Sequence, residues 1–132
     1  MNSATCGPAP VAIVEDDPMV RNSLGSLVRS FGYRASLFAR GQDFLDTQPD
    51  RFCCLISDVN MPEMNGLDLQ NALKTQAPAL PVLFLTAFPT PTIREQAMAA
   101  GARMFLEKPI DPDDLHRVLR LVLENPAGGA PN

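Results

Sequence analysis

Four apolar runs in this 132-residue sequence stop at side chains able to do chemistry. Val11, Ala12, Ile13 and Val14 give way to Glu15 and Asp16; the run 52–57 ends at Asp58, the run 81–85 at Thr86, and the run 104–106 at Glu107 and Lys108. Three carboxylates drawn together repel one another and resist leaving water, an arrangement that becomes tolerable when a hard divalent cation sits among them. Mg2+ takes oxygen ligands at about 2.0–2.1 Å and keeps some of its waters. A lysine at the same place offsets further negative charge. Glu15, Asp16, Asp58, Thr86 and Lys108 together suit Mg2+ and an anionic group, and phosphoryl chemistry follows from that pairing.

Positioning these residues falls to an alternation of short apolar runs and helical patterns. After Pro18, the residues Val20, Leu24, Leu27, Val28 and Phe31 recur at offsets 0, 4, 7, 8 and 11, one face of an α-helix that Gly32 stops. Residues 33–38 read as a weaker strand, 42–46 as a short helix and 66–75 as a helix with Leu69, Ala72 and Leu73 on one side. Thr90 and Pro91 can cap a helix carrying Ile93, Ala97 and Ala100. Asp111 is an N-cap ahead of Pro112, with Asp113 and Asp114 favoured by the helix dipole and Leu115, Val118, Leu119 and Val122 as the buried face. The strand–helix pair occurs five times, and the strands are continuous apolar runs rather than alternating ones. Strands buried on both faces imply a parallel sheet covered by helices, an α/β single domain with five strands and helices on both faces. In such a sheet ligands bind at the carboxyl ends of the strands. That edge is where the polar residues stand.

Composition narrows the classes. Hydrophobic residues make up 45 % and charged residues 20 %, enough apolar material for a core and too little charge bias for disorder. Eleven Lys and Arg against fifteen Asp and Glu leave a net charge of −4, a poor basis for nucleic-acid binding. No run approaches the ~20 apolar residues of a membrane helix, and the N-terminus lacks a signal-peptide pattern, so the expectation is a cytoplasmic chain without membrane contact. Three cysteines, Cys6, Cys53 and Cys54, make no disulfide framework, and Cys53 and Cys54 read as core residues. Residues 1–9 and 125–132 are expected to be flexible ends, the latter a tail or linker stub, around a domain at 10–124.

The segments VAIVEDDPMVR, LISDVNMPEMNGLDL, VLFLTA and MFLEKPID, in this order and spacing, resemble the receiver domain of two-component response regulators, including the chemotaxis regulators. The resemblance implies the (βα)5 flavodoxin-like receiver fold and a role for each position. Asp58 would be the phosphoacceptor. Asp16 would ligate Mg2+ or Mn2+ directly, Glu15 through water, and Asn60 through its backbone carbonyl. Thr86 would hydrogen-bond the phosphoryl group, Lys108 would pair with it, and Phe105 would be the aromatic switch, turning into space that Thr86 leaves. The bond between Lys108 and Pro109 is expected to be cis. The implied partners are a histidine kinase or histidine phosphotransfer protein as donor and a downstream protein or fused effector domain as target, with a phosphorylation-dependent dimer as one output. Self-phosphorylation from a phosphodonor and slow autodephosphorylation would replace conventional enzyme turnover. Both a stand-alone regulator and a receiver excised from a transcription factor fit.

Two residues depart from the family's commonest pattern. Glu15 is longer than the usual aspartate by a methylene, and Phe88 is bulky enough to screen an acyl phosphate from water. Blander readings hold elsewhere: Asp17 before Pro18 is an N-cap rather than a third ligand, and His116 on the last helix is a solvated residue. Pro62 and Gly66 shape the turn after Asp58, between Met61 and Met64. An Mg2+-dependent phosphatase with Asp58 as nucleophile would need a second acid two residues on, where Asn60 stands instead. A phosphate-independent interaction domain would not need all five key positions intact.

Overall fold

A computed structural model describes residues 9–59, 66–99 and 101–123. The expectations for Cys6, Asn60, Met61, Pro62, Met64, Ala100 and both terminal segments beyond residues 9 and 123 lie outside the described residues. Five strands form one parallel sheet: β1 (Val11–Val14), β2 (Ala35–Phe38), β3 (Cys54–Asp58), β4 (Val82–Thr86) and β5 (Met104–Glu107), in the spatial order β2-β1-β3-β4-β5. The helices are α1 (Pro18–Ser30), α2 (Gly41–Leu45), α3 (Gly66–Gln76), α4 (Pro91–Ala99) and α5 (Pro112–Leu123). The expected five-stranded α/β fold with helices on both faces is what forms.

The starts of the helices follow from local chemistry. Asp17 caps α1, its Oδ1 accepting from the backbone N–H of Met19 at 2.9 Å and of Val20 at 3.4 Å. Thr90 Oγ1 accepts from Ile93 N at 3.1 Å ahead of α4, and Asp111 Oδ1 from Asp113 N at 2.8 Å ahead of α5. After α1, Gly32 takes φ +98°, a left-handed backbone that a side chain would strain. Two strands begin later than their apolar runs suggest. Tyr33 and Arg34 precede β2, and a 3-10 turn at Pro49–Arg51 delivers the chain to β3 at Cys54, because only there does the ladder with Val11 begin.

Every residue of β1, β3 and β4 is buried, as continuous apolar runs require in a sheet covered on both sides. On one face Val11, Ile13, Cys54 and Ile56 pack with Leu24 and Val28 of α1 and with Leu115, Val118, Leu119 and Val122 of α5. On the other, Ala12, Val14, Leu55 and Phe84 meet Phe44 of α2, Leu69 and Leu73 of α3 and Ala97 of α4. Burying a side chain of the Val or Leu class contributes about 1.5–3 kcal/mol, so the four named α5 positions supply much of what holds that helix to the sheet. One expectation is corrected here. His116 is not a freely solvated side chain: its ring stacks on Phe31, with centroids 4.2 Å apart and planes 4° from parallel. Asp113, Asp114 and Arg117 nearby in sequence are polar, but α1 ends against it.

Candidate functional site

Sheet order places the polar residues at one point. The chain leaves β1 toward β2 on one side and returns to β3 on the other, so the C-terminal ends of β1 and β3 border the crevice where open α/β sheets bind ligands. Val14 pairs with Ser57, which sets Glu15 and Asp58 at adjoining strand ends; Asp58 pairs with Leu85 and Thr86 with Glu107, bringing Thr86 and Lys108 to the same edge.

Glu15 and Asp58 are 1 % and 7 % exposed, whereas Asp16 faces solvent. One oxygen from each of the three carboxylates falls within 4.8 Å of the others. Lys108 Nζ donates to Glu15 Oε1 at 2.8 Å and to Asp58 Oδ2 at 2.7 Å, joining residues 93 and 50 positions away in the chain. The second Glu15 oxygen accepts from Asp17 N at 3.1 Å. Burial pushes the Glu15 carboxyl above the usual carboxylate range; Lys108 and the Asp17 amide pull it back, and Asp58 pushes it up again. Burial also draws Lys108 downward, but its bonds to Asp58 and Glu15 outweigh that and hold the ammonium above its ordinary value. Three carboxylates around one ammonium leave a net negative pocket of hard oxygen donors with one edge open to water. That donor set fits Mg2+ or Mn2+.

Thr86 is fully buried, and its hydroxyl oxygen accepts from Phe88 N at 3.0 Å, while its carbonyl accepts from Lys108 N at 2.7 Å. The peptide bond after Lys108 is cis, as expected. Phe88 itself is 74 % exposed. Gly66 opens α3 directly behind the acceptor strand: its N–H donates to Val59 O at 2.9 Å, and a Cβ there would sit 2.8 Å from Asp58 O and 2.7 Å from Phe84 Cε1. An apolar groove of about 530 Å³, bounded by Met19, Leu24, Leu27, Pro109 and Ile110, opens beside Lys108.

With this geometry in place, comparison with known proteins is decisive: the family model for the response regulator receiver domain matches residues 11–120. The chain belongs to that family. The receiver is 38 % identical over 106 residues to the transcriptional regulatory protein FixJ of Bradyrhizobium diazoefficiens, a match covering 80 % of this chain and 52 % of FixJ. It is 38 % identical over 115 residues to the response regulator protein TmoT of Ectopseudomonas mendocina, covering 86 % of this chain and 52 % of TmoT. The chain thus spans about half the length of these relatives. Among solved structures it is similar to the chemotaxis protein CheY4 of Vibrio cholerae, with a TM-score of 0.80 at 33 % identity over 87 % of this chain and 98 % of that one. It is likewise similar to the structure titled FixJ-N, with a TM-score of 0.82 at 28 % identity over 95 % and 97 %.

The receiver's sequence named Glu15, Asp16, Asp58, Thr86 and Lys108, and the fold brings all five to one edge. Asp17 caps α1, as read. Phe105, expected as the aromatic switch, is 8 % exposed and pairs across the ladder with Phe84. Two residues escaped the sequence reading. Arg21 Nη1 donates to Glu15 O at 2.8 Å and to Asp16 O at 3.5 Å, holding the backbone of the acidic pair. Its signal was a cation in the first turn of α1, where the helix dipole disfavours positive charge. Arg94 lies over the Phe105 ring, its Cζ 5.6 Å from the centroid, a contact no spacing announces. Among the described residues, no helix is long and apolar enough to cross a membrane.

Proposed function

We propose that this receiver, spanning residues 10–124, takes a phosphoryl group on Asp58 from a phosphohistidine of a histidine kinase or histidine phosphotransfer protein. The phosphorus–nitrogen bond breaks, an Asp58 carboxylate oxygen bonds to phosphorus, and the leaving imidazole takes up a proton. The observation that carries this reading is the bridge of Lys108 to both Glu15 and Asp58 beside solvent-facing Asp16. It sets an ammonium against the Asp58 carboxylate and holds a cation where phosphoryl oxygens would arrive. Glu15, Asp16 and Asp58, with the backbone carbonyl of Asn60, would hold Mg2+ or Mn2+, which supplies the remaining charge neutralisation. Slow autodephosphorylation returns the free carboxylate.

Thr86 is the proposed reporter. Its hydroxyl, now accepting from Phe88 N, would turn to donate to the new phosphoryl group and leave room on the side of Phe105. The apolar groove sharing Lys108 is a suitable seat for the helix that carries the donor histidine, since Lys108 both lines it and bonds Asp58. The target is a downstream protein or an effector domain in the same polypeptide, reached in the cytoplasm, with dimerisation as one output. The half-length match to the transcriptional regulatory protein FixJ supports the fused arrangement.

The test is incubation with acetyl phosphate and Mg2+, read by intact mass, beside Asp58→Asn. One phosphoryl adduct that requires the metal and is absent from the variant is the expected result. An adduct that persists in Asp58→Asn, or none in the parent chain, overturns the assignment.

A further inference from the structure

Phenylalanine at position 105 has no hydroxyl, so the polar contact open to it runs through its ring, whose face is the negative side of the quadrupole. Arg94 is an exposed residue of α4 with its guanidinium carbon 5.6 Å from the centroid of that ring, inside the range of a cation–π contact. Among the described residues Arg94 has no ion-pair partner, so the ring is the contact its charge makes. The ring beneath it is 8 % exposed. The helix carrying Arg94 is tied to the site as well. Thr90 caps α4 at its Oγ1, and two residues before Thr90 the amide of Phe88 donates to the Thr86 hydroxyl. When that hydroxyl leaves Phe88 N, the loop that sets the start of α4 loses one of its holds.

We infer that Arg94 is the lid that keeps Phe105 in its buried rotamer and thereby biases the receiver toward the state that phosphorylation favours. This rests on the proposed Thr86–Phe105 coupling and adds to it a positioning residue from outside the phosphorylation site. If a phosphoryl group at Asp58 makes room for the buried ring, then burial of the ring must in turn strengthen binding of a phosphoryl mimic, because coupling between two sites is reciprocal. A cation–π contact at an exposed position corresponds to roughly a two- to five-fold bias in a two-state equilibrium. The lid tunes the switch; it does not throw it.

The experiment follows the ratio of buried to outward Phe105 by fluorine NMR of a ring-fluorinated protein, with and without beryllofluoride and Mg2+. It is run on the parent chain, on Arg94→Met, which keeps the stem and the helix propensity, and on Arg94→Lys, which keeps the charge. Arg94→Met should lower the buried-to-outward ratio by roughly two- to five-fold and weaken beryllofluoride binding by no more than that factor, with Arg94→Lys recovering most of the ratio. A ring equally buried in the parent and in Arg94→Met overturns the lid. So does an equal loss in Arg94→Lys, which would mean that guanidinium packing rather than charge holds the ring. A ring that ignores beryllofluoride in every chain, while Asp58 still takes up a phosphoryl group, overturns the coupling and leaves the phosphoacceptor assignment standing.

Discussion

Lys108→Met removes the cation that bridges Glu15 and Asp58 while keeping an unbranched side chain of similar length. At 2.7 and 2.8 Å, and with an effective dielectric constant of about 20, each ion pair carries an attraction of about 6 kcal/mol before desolvation is counted. Desolvation takes most of that back, and breaking a buried pair by deleting one partner costs about 3–5 kcal/mol. The Lys108 side chain is 17 % exposed, which puts the expected loss at the lower end, about 3 kcal/mol or roughly 10 °C in Tm. The pH dependence has a definite sign. In the parent chain Lys108 is raised above 10.5, so its contribution is present below that value and lost only as pH rises through its folded pKa. Glu15 is raised above 4.5, so its protonated form favours folding below 4.5 and that advantage disappears as pH rises through the folded value. Without Lys108 the Glu15 carboxyl moves higher still, and the variant should lose most stability near neutrality and least near pH 4.5. Mg2+, which supplies positive charge to the same oxygens, should restore part of the loss. Urea denaturation in EDTA and in Mg2+, at several pH values between those limits, measures all of this. A deficit that is the same at every pH and indifferent to Mg2+ would show that Lys108 acts through packing alone and would refute the charge argument.

Gly66→Ala forces a Cβ to within 2.8 Å of Asp58 O and 3.0 Å of Val59 Cα, backbone atoms that cannot step aside, so a loss of about 2 kcal/mol or more is expected in chemical denaturation, together with shifted amide resonances at Asp58. Unchanged stability would mean that α3 starts with more room than the structure shows. Asp17→Ala should cost about 1 kcal/mol through the lost cap while leaving Mg2+ affinity nearly intact; a tenfold drop in affinity, measured by calorimetry, would instead make Asp17 a metal ligand. Phe88→Glu, at a position 74 % exposed beside Thr86, should change the half-life of the phosphorylated protein followed by mass spectrometry, and an unaltered decay would rule out a screening role.

Much of this molecule is legible before folding because the relevant physics is local. The offsets of Val20, Leu24 and Val28 lie on one helical face whatever surrounds them, and Asp17 before Pro18 needs only the next turn to act as a cap. The apolar runs 11–14 and 82–85 carry no alternation, which by itself demands a sheet covered on both faces. The five key positions were recognisable because each stands where such a run ends. What tertiary structure alone decides are relations between distant segments. Strand order puts the ends of β1 and β3 side by side and lets one ammonium bridge residues 93 and 50 positions away. Packing of α1 against α5 turned His116 from a solvated residue into the stacking partner of Phe31. The buried ring of Phe105 and the arginine above it likewise depend on where α4 comes to rest over β5. Periodicity and capping act within a few residues, so sequence determined the elements and their order. Charge pairing and ring stacking act across space, so the balance of the site and the setting of its switch waited on the fold.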